Sequence, residues 1–255
     1  MKPQDYLWEC LRSLKNQTLT ANKFDVLIIV NGEKEPYYDM IKKFIEQENM
    51  NNFFIHYTSE KGVSNARNFG IALADNPFLC FLDDDDYLSH NYLEEMLKSS
   101  ENGSIVVSNF RSFRIIQGKF EPMIGYIERA YHSYYNTERS IFSQRKFMSS
   151  IGGKLISRDC IKKIKFNNKF SKGEDSLFLA EISKNINRII FSNSEAIYYR
   201  RIRSDSANNS RELIGYRIQR KYQLINEYRK LLFKKGYHKL FVLSRIIAQI
   251  KNMIK

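Results

Sequence analysis

The sequence predicts an α/β fold: a Rossmann-like, mostly parallel sheet flanked by helices, with a helical extension at the C-terminal end. Three observations predict it. Short apolar runs alternate with segments of helical period. The runs end at polar or glycine-bearing turns. One of them ends at four consecutive acidic residues. At 255 residues the chain can bury one sizeable core of this kind.

The elements follow in order. Residues 5–15 have helical period, with Leu7, Cys10, Leu11 and Leu14 on one face and Asp5 as a plausible cap. Asp25–Val30 is a continuous apolar strand ending at Asn31-Gly32, as suits a sheet covered on both faces. Residues 38–48 are helical, Phe53–His56 is a strand, and Ser64–Ala74 is a helix. Phe78–Leu82 is the next strand. A helix over 89–99 precedes strands at Ser104–Phe110 and Ser112–Ile116, bent near Arg111 and turned at Gln117-Gly118. The aromatic stretch 121–150 reads as helices or a flap over the site. The segments Lys154–Ser157 and Cys160–Ile164 follow without an assigned type, strands are expected at Ile189–Ser192 and Ala196–Arg201, a helix at Ser176–Ser183, and a polar loop at Ser204–Ser210. Helices over 211–234 and 238–253 complete the chain. Two regions result, a main domain over 1–210 and a basic amphipathic tail over 211–255.

Composition narrows the function classes. The net charge is +13, but the tail holds twelve Lys or Arg against Glu212 and Glu227, leaving the main domain nearly balanced. A basic amphipathic tail suits an anionic membrane surface or packing on the main domain. Nucleic acid is not the expected partner, because the chemistry-bearing groups at the strand ends are acidic and repel phosphate. No apolar run reaches transmembrane length and no signal-peptide core opens the chain. Cys10, Cys80 and Cys160 are sparse and lack metal-ligand spacing. A cytoplasmic protein, peripheral to the membrane at most, is the expectation.

The acidic cluster, Asp83 to Asp86, directly follows the apolar run 78–82. Adjacent carboxylates repel, so gathering them calls for compensation. A hard divalent cation such as Mg²⁺ or Mn²⁺ is one compensation and also binds phosphate oxygens; a solvated acidic turn is the other reading. In parallel α/β sheets ligands bind at the carboxyl ends of strands. Asn31, the Lys61-Gly62 turn and the tetrad all fall there. Arg67, in the first turns of the helix after Gly62, suits a phosphate or a bidentate contact to a tetrad carboxylate. Glu174-Asp175 opens a later helix. A carboxylate there can cap the helix, or accept a proton from a hydroxyl that attacks an electrophilic carbon.

Three stretches carry a family resemblance: Lys61-Gly62-Val63-Ser64-Asn65-Ala66-Arg67-Asn68-Phe69-Gly70, then Phe81-Leu82-Asp83-Asp84-Asp85-Asp86, then Gly173-Glu174-Asp175. With the first helix, Tyr6-Leu7 through Gln17, they resemble the family 2 glycosyltransferases of the GT-A fold, over about residues 4 to 205. The resemblance implies a nucleotide-diphosphate sugar donor, a glycan or lipid-linked acceptor as in surface-polysaccharide synthesis, Mn²⁺ or Mg²⁺, and inversion by single displacement. It implies Asp175 as the catalytic base with Glu174 supporting it. Asp85 is the metal ligand, with Asp83 near the metal or ribose. Asp86 supports the loop or the sugar, and Asp84 occupies a variable position. Arg67 lies near the nucleotide, with Lys61 and Asn31. Asn31-Gly32 stands where many members carry Asp-Asp-Gly-Ser, so the charge there is absent. The family's first central strand and its Pro-x-Tyr-Asn loop have no counterpart in this sequence. An inactive or truncated relative, or a scaffold without turnover, is therefore the alternative expectation.

Overall fold

The computed structural model describes residues 5–135, 140–203 and 213–254. The polar loop expected at Ser204–Ser210 lies outside the described residues. Helix α1 (Asp5–Lys15) buries Leu7, Cys10 and Leu11, the face its spacing predicts. Strands β1 (Val26–Asn31) and β2 (Phe53–Thr58) pair in parallel, Val26 facing Phe53 and Asn31 facing Thr58. Helix α2 (Tyr37–Gln47) joins them, and α3 (Val63–Leu73) packs back on β1. Strand β3 (Phe78–Cys80) leads into the tetrad and β4 (Tyr87–Leu88) leaves it, ahead of α4 (Tyr92–Lys98).

The chain continues through β5 (Ser104–Val107), β6 (Asn109–Ile116), β7 (Lys119–Met123), α5 (Tyr126–Tyr134), β8 (Lys154–Ser157) and α6 (Arg158–Ile161). It ends in α7 (Glu174–Ile182), β9 (Arg188–Phe191), β10 (Ile197–Arg201), α8 (Ile214–Phe233) and α9 (Lys239–Ile254). The strands form three sheets, ordered β1-β2, β3-β8-β5-β9 and β4-β10-β6-β7. Pairing is mixed: β1–β2, β5–β9 and β6–β10 are parallel, while β8 runs antiparallel between β3 and β5.

The break between β5 and β6 falls at Ser108, not near Arg111 as the sequence suggests. The Ser108 N–H donates to the Gly153 carbonyl at 3.1 Å, and Asn109 Oδ1 accepts from the Phe110 N–H at 2.9 Å. Those bonds carry the chain from one sheet to the next. The aromatic stretch after residue 121 contains α5 and a short 3₁₀ turn at Arg145–Ser149, and it buries Tyr131 and Phe147 in the core instead of lying open.

The core is divided. The larger cluster surrounds β5, β8 and α7; the smaller joins Leu7, Leu11, Val30, Ile41, Met50 and Phe53, and half-buried Leu14 touches both. Helix α7 is apolar nearly all round, with Leu177, Phe178, Leu179 and Ala180 fully buried, as suits a central helix. Each large side chain among these contributes about 1.5–3 kcal/mol by burial. Helix α8 packs behind α7: Leu224 and Tyr228 are fully buried, and the Tyr228 hydroxyl lies 2.8 Å from Ser176 Oγ. The other faces of α8 and α9 expose Tyr216, Tyr222, Phe233 and Leu240. Among the described residues no helix is long and apolar enough to cross a membrane.

Candidate active site

One arginine joins the two acidic motifs. Arg67 reaches out from α3 and donates from Nη2 to Asp83 Oδ1 at 2.9 Å and from Nη1 to Asp175 Oδ1 at 2.5 Å, with Glu174 Oε1 at 3.6 Å. Its guanidinium sits 5.4 Å from the Phe166 ring centre and is only 10% exposed. Burial lowers its pKa, but Asp175, Asp83 and Glu174 outweigh burial and raise it above the usual arginine value. Arg67 thus tethers the tetrad and also faces the other pair, across a site assembled from three distant segments.

The four aspartates have separate environments. Asp86 is buried and spends both oxygens on protein donors, the Tyr198 hydroxyl at 2.7 Å and the Arg201 N–H at 2.8 Å. Those bonds fasten the loop to β10. Burial, then Asp83 and Asp85, push its pKa well up. Asp85 is ion-paired to Arg203 at 2.9 Å, and its backbone carbonyl accepts from Arg201 Nε at 3.0 Å. Lost hydration raises the Asp85 pKa and Arg203 opposes the rise. Lost hydration, then Asp85 and Asp83, lift Asp84 to about 6, although the residue as a whole remains exposed at the rim. Asp83 is half exposed and partnered by Arg67.

The opposite wall is built around α7. Gly173 precedes it at φ +93°, where a Cβ would lie 2.7 Å from Leu224 Cδ1, so a side chain is excluded on both backbone and packing grounds. That tight entry delivers Glu174 and Asp175 to the site. Asp175 Oδ2 accepts the Ile151 N–H at 3.0 Å, while Oδ1 accepts from Arg67. Burial raises the Asp175 pKa; Arg67 and the Ile151 N–H hold it back. The turn carrying Ile151 is itself tied by Lys154, whose Nζ donates to the Ser150 carbonyl at 2.5 Å and the Gly152 carbonyl at 3.2 Å. Lys154 is buried, and desolvation lowers its pKa to about 8 against the pull of Asp175.

The third wall comes from the β1–β2 sheet. Asn31 Nδ2 donates to the Gly62 carbonyl at 3.0 Å, and the Lys61 side chain crosses Gly32, where a Cβ would lie 3.0 Å from Lys61 Cγ. Asn31, Lys61 and the start of α3 are therefore one unit, and Lys61 is exposed.

All the residues singled out in the sequence lie on these three walls. Sequence reasoning missed Lys154, Tyr198, Arg201 and Arg203. The Arg200-Arg201-Ile202-Arg203 run at the end of an aromatic strand was the available signal, a basic complement to the tetrad. Lys154, the lone charge in Lys-Leu-Ile-Ser, was the other.

Among the described residues no three His, Cys, Asp or Glu side chains converge as a ready cation site. Asp83 and Asp85 still offer hard oxygen donors on a partly open loop, and Mg²⁺-type sites are completed by substrate phosphates and water. The donor chemistry fits such an ion, with an arginine now on each carboxylate.

Comparison with known proteins identifies the architecture. The profile of glycosyl transferase family 2 matches residues 2–165. The chain belongs to this family. The matched span includes Arg67 and the tetrad and ends before Glu174-Asp175. Glycosyltransferase GlyA of Streptococcus pneumoniae is 26% identical over 80% of this chain and 30% of its own length. The putative glycosyltransferase EpsH of Bacillus subtilis is 28% identical over 42% of this chain and 30% of its own. The minor teichoic acid biosynthesis protein GgaB of B. subtilis is 26% identical over 80% of this chain and 22% of its own. The chain thus spans less than a third of the length of each of these relatives. Staphylococcus aureus TarS, solved with UDP-GlcNAc, superposes with a TM-score of 0.69 at 18% identity, covering 97% of this chain and 68% of that one. Mannosyltransferase PcManGT from Pyrobaculum calidifontis, solved with GDP-Man and Mn²⁺, gives 0.63 at 12% identity, covering 99% and 72%. The fold of this family 2 chain is therefore GT-A, with helices flanking mixed sheets.

Proposed function

We propose that this chain is the catalytic region of an inverting glycosyltransferase that moves a sugar from a nucleotide-diphosphate donor to a hydroxyl of a glycan or lipid-linked acceptor in surface-polysaccharide synthesis. The observation that carries the reading is the Arg67 bridge, which brings the Asp83 and Asp175 carboxylates onto the two terminal nitrogens of one guanidinium. A displacement site needs a base on one side and a held leaving group on the other.

In this reading the acceptor hydroxyl gives its proton to Asp175 as its oxygen bonds to the anomeric carbon. The bond from that carbon to the diphosphate breaks with its electron pair leaving on the diphosphate, and the configuration inverts. Ile151 N–H and Arg67 orient the Asp175 carboxylate and oppose the rise in its pKa that burial causes. Glu174 adds a second carboxylate 3.6 Å from the same Arg67 nitrogen, Nη1. Asn31, Lys61 and Arg67 line the nucleotide side, and Asp86 holds the loop that presents Asp83 and Asp85. When bound at Asp83 and Asp85, Mn²⁺ or Mg²⁺ supplies positive charge to the leaving diphosphate. Names of the relatives and neighbours support the substrate class: one is a teichoic acid biosynthesis protein, and two neighbours were solved with UDP-GlcNAc and GDP-Man.

Turnover of UDP- and GDP-sugars with Mn²⁺ or Mg²⁺ tests this. Asp175→Asn should lower kcat by roughly 10²–10⁴ with unchanged circular dichroism. A folded wild-type chain that turns over no donor, or a variant as fast as wild type, would sink the reading. The first outcome would favour the second reading, a transferase-like scaffold, which the one-sided pairing of β1 among the described residues supports.

The exposed apolar side chains of α8 and α9, with the basic residues of these helices, support a further element of the proposal, docking on an anionic membrane surface from the cytoplasmic side. Flotation of the full chain with anionic liposomes should fall when exposed Tyr222 and Phe233 are both replaced by Ser; equal flotation of variant and wild type would reject it.

A further inference from the structure

We propose that Arg203 is a built-in counter-ion of Asp85 that a divalent cation must displace, so that this chain takes up metal efficiently only together with its nucleotide. The inference rests on reading Asp83 and Asp85 as a cation site and adds a residue that reading does not include.

The pair is not a chance surface contact. Arg203 Nε lies 2.9 Å from Asp85 Oδ2, and the two side chains are only 16% and 15% exposed. Arg203 is held in place from behind: Nη1 donates to the Tyr6 hydroxyl at 2.5 Å, and the guanidinium sits 4.9 Å from the Tyr6 ring centre. Tyr6 belongs to α1, so the first helix buttresses an arginine that follows the last strand of the main domain. Arg201 lies alongside, on the Asp85 carbonyl and on Glu9. A cation at Asp85 would share one carboxylate with a guanidinium at contact distance, and the two positive charges repel. In a half-buried setting that repulsion is poorly screened. Arg203 must therefore yield Asp85. A nucleoside diphosphate offers it a replacement anion, and arginine is well suited to phosphate oxygens. Asp83 has the same arrangement with Arg67 but is half exposed, where displacement costs less.

Mn²⁺ binding to the whole chain, read from the loss of the free-ion electron paramagnetic resonance signal and by calorimetry, tests this with and without UDP. Wild type should bind Mn²⁺ weakly alone and more tightly with UDP. Arg203→Gln should bind Mn²⁺ alone on the order of tenfold more tightly, because the competing charge is gone, and the gap between variant and wild type should narrow when UDP is present. Asp85→Asn in the Arg203→Gln background should remove the gain. Tyr6→Phe loosens Arg203 without touching either charge and should give a smaller gain; it decides the matter if Arg203→Gln fails to fold. If both variants bind Mn²⁺ as wild type does while UDP still promotes binding, Arg203 is no competitor and the inference falls, leaving the cation site intact. If no variant binds Mn²⁺ with or without UDP, the cation reading itself fails and this inference with it.

Discussion

Strands β1 and β5 are both short apolar runs, Val-Leu-Ile-Ile-Val-Asn and Ser-Ile-Val-Val, yet they end in different surroundings. All four residues of β5 are buried, whereas in β1 only Val30 is. Strand β5 has β8 on one side and β9 on the other; β1 pairs with β2 alone among the described residues. Apolar patterning states what a strand can bury, and its neighbours decide what it does bury. The site inherits the difference. Asp175, Ile151 and Lys154 sit against the larger core, with each polar atom held by a named partner. Asn31 and Lys61 sit on the smaller sheet, whose strands are half open. The wall at α7 is preorganised, while the wall on β1 and β2 is the looser one.

The largest test of that contrast truncates one isoleucine in each strand. Ile105→Ala in β5 removes a fully buried side chain and should cost about 2–5 kcal/mol in urea denaturation. Ile28→Ala in β1 removes a half-buried one and should cost about 1 kcal/mol or less. Equal losses would mean that β1 is covered in solution by something beyond the described residues.

Much of this was legible in the sequence, for identifiable reasons. Helices α1 to α3 and strands β1 to β3 have local period and clear turn residues, so each could be placed from its own segment. The break at Ser108 was misplaced although polar Ser108-Asn109 interrupts the apolar run there; what fixes it is the Gly153 carbonyl, brought in from just before β8. The acidic residues of the site were legible because repulsion among Asp83 to Asp86 demands an explanation. Their basic partners were harder to see. Arg203 reaches Asp85, and Arg67 reaches Asp175, only through the folded sheet order, and a basic run at the end of a strand reads as surface in sequence. Lys154 illustrates the point: its neighbours mark it as a strand residue, but nothing local shows that its ammonium points inward.

A smaller effect sharpens the contrast between the walls through their two lysines. Lys154 is buried with a pKa of about 8 in the fold against 10.5 when free. Between those values the unfolded chain binds more protons than the folded one, so stability should rise as pH increases from about 8 to about 10.5, and below 8 the cost of the buried charge is fully present. Lys154→Met should abolish that rise in a series of urea titrations. It should also lower kcat by about tenfold to a hundredfold, since freeing the Ser150 and Gly152 carbonyls loosens the turn that orients Asp175. Lys61 is exposed, and Lys61→Met should act on the donor KM instead of kcat. A stability slope that survives in Lys154→Met would show that its ammonium reaches water, and the wall at α7 would then be no more rigid than the wall on β1 and β2.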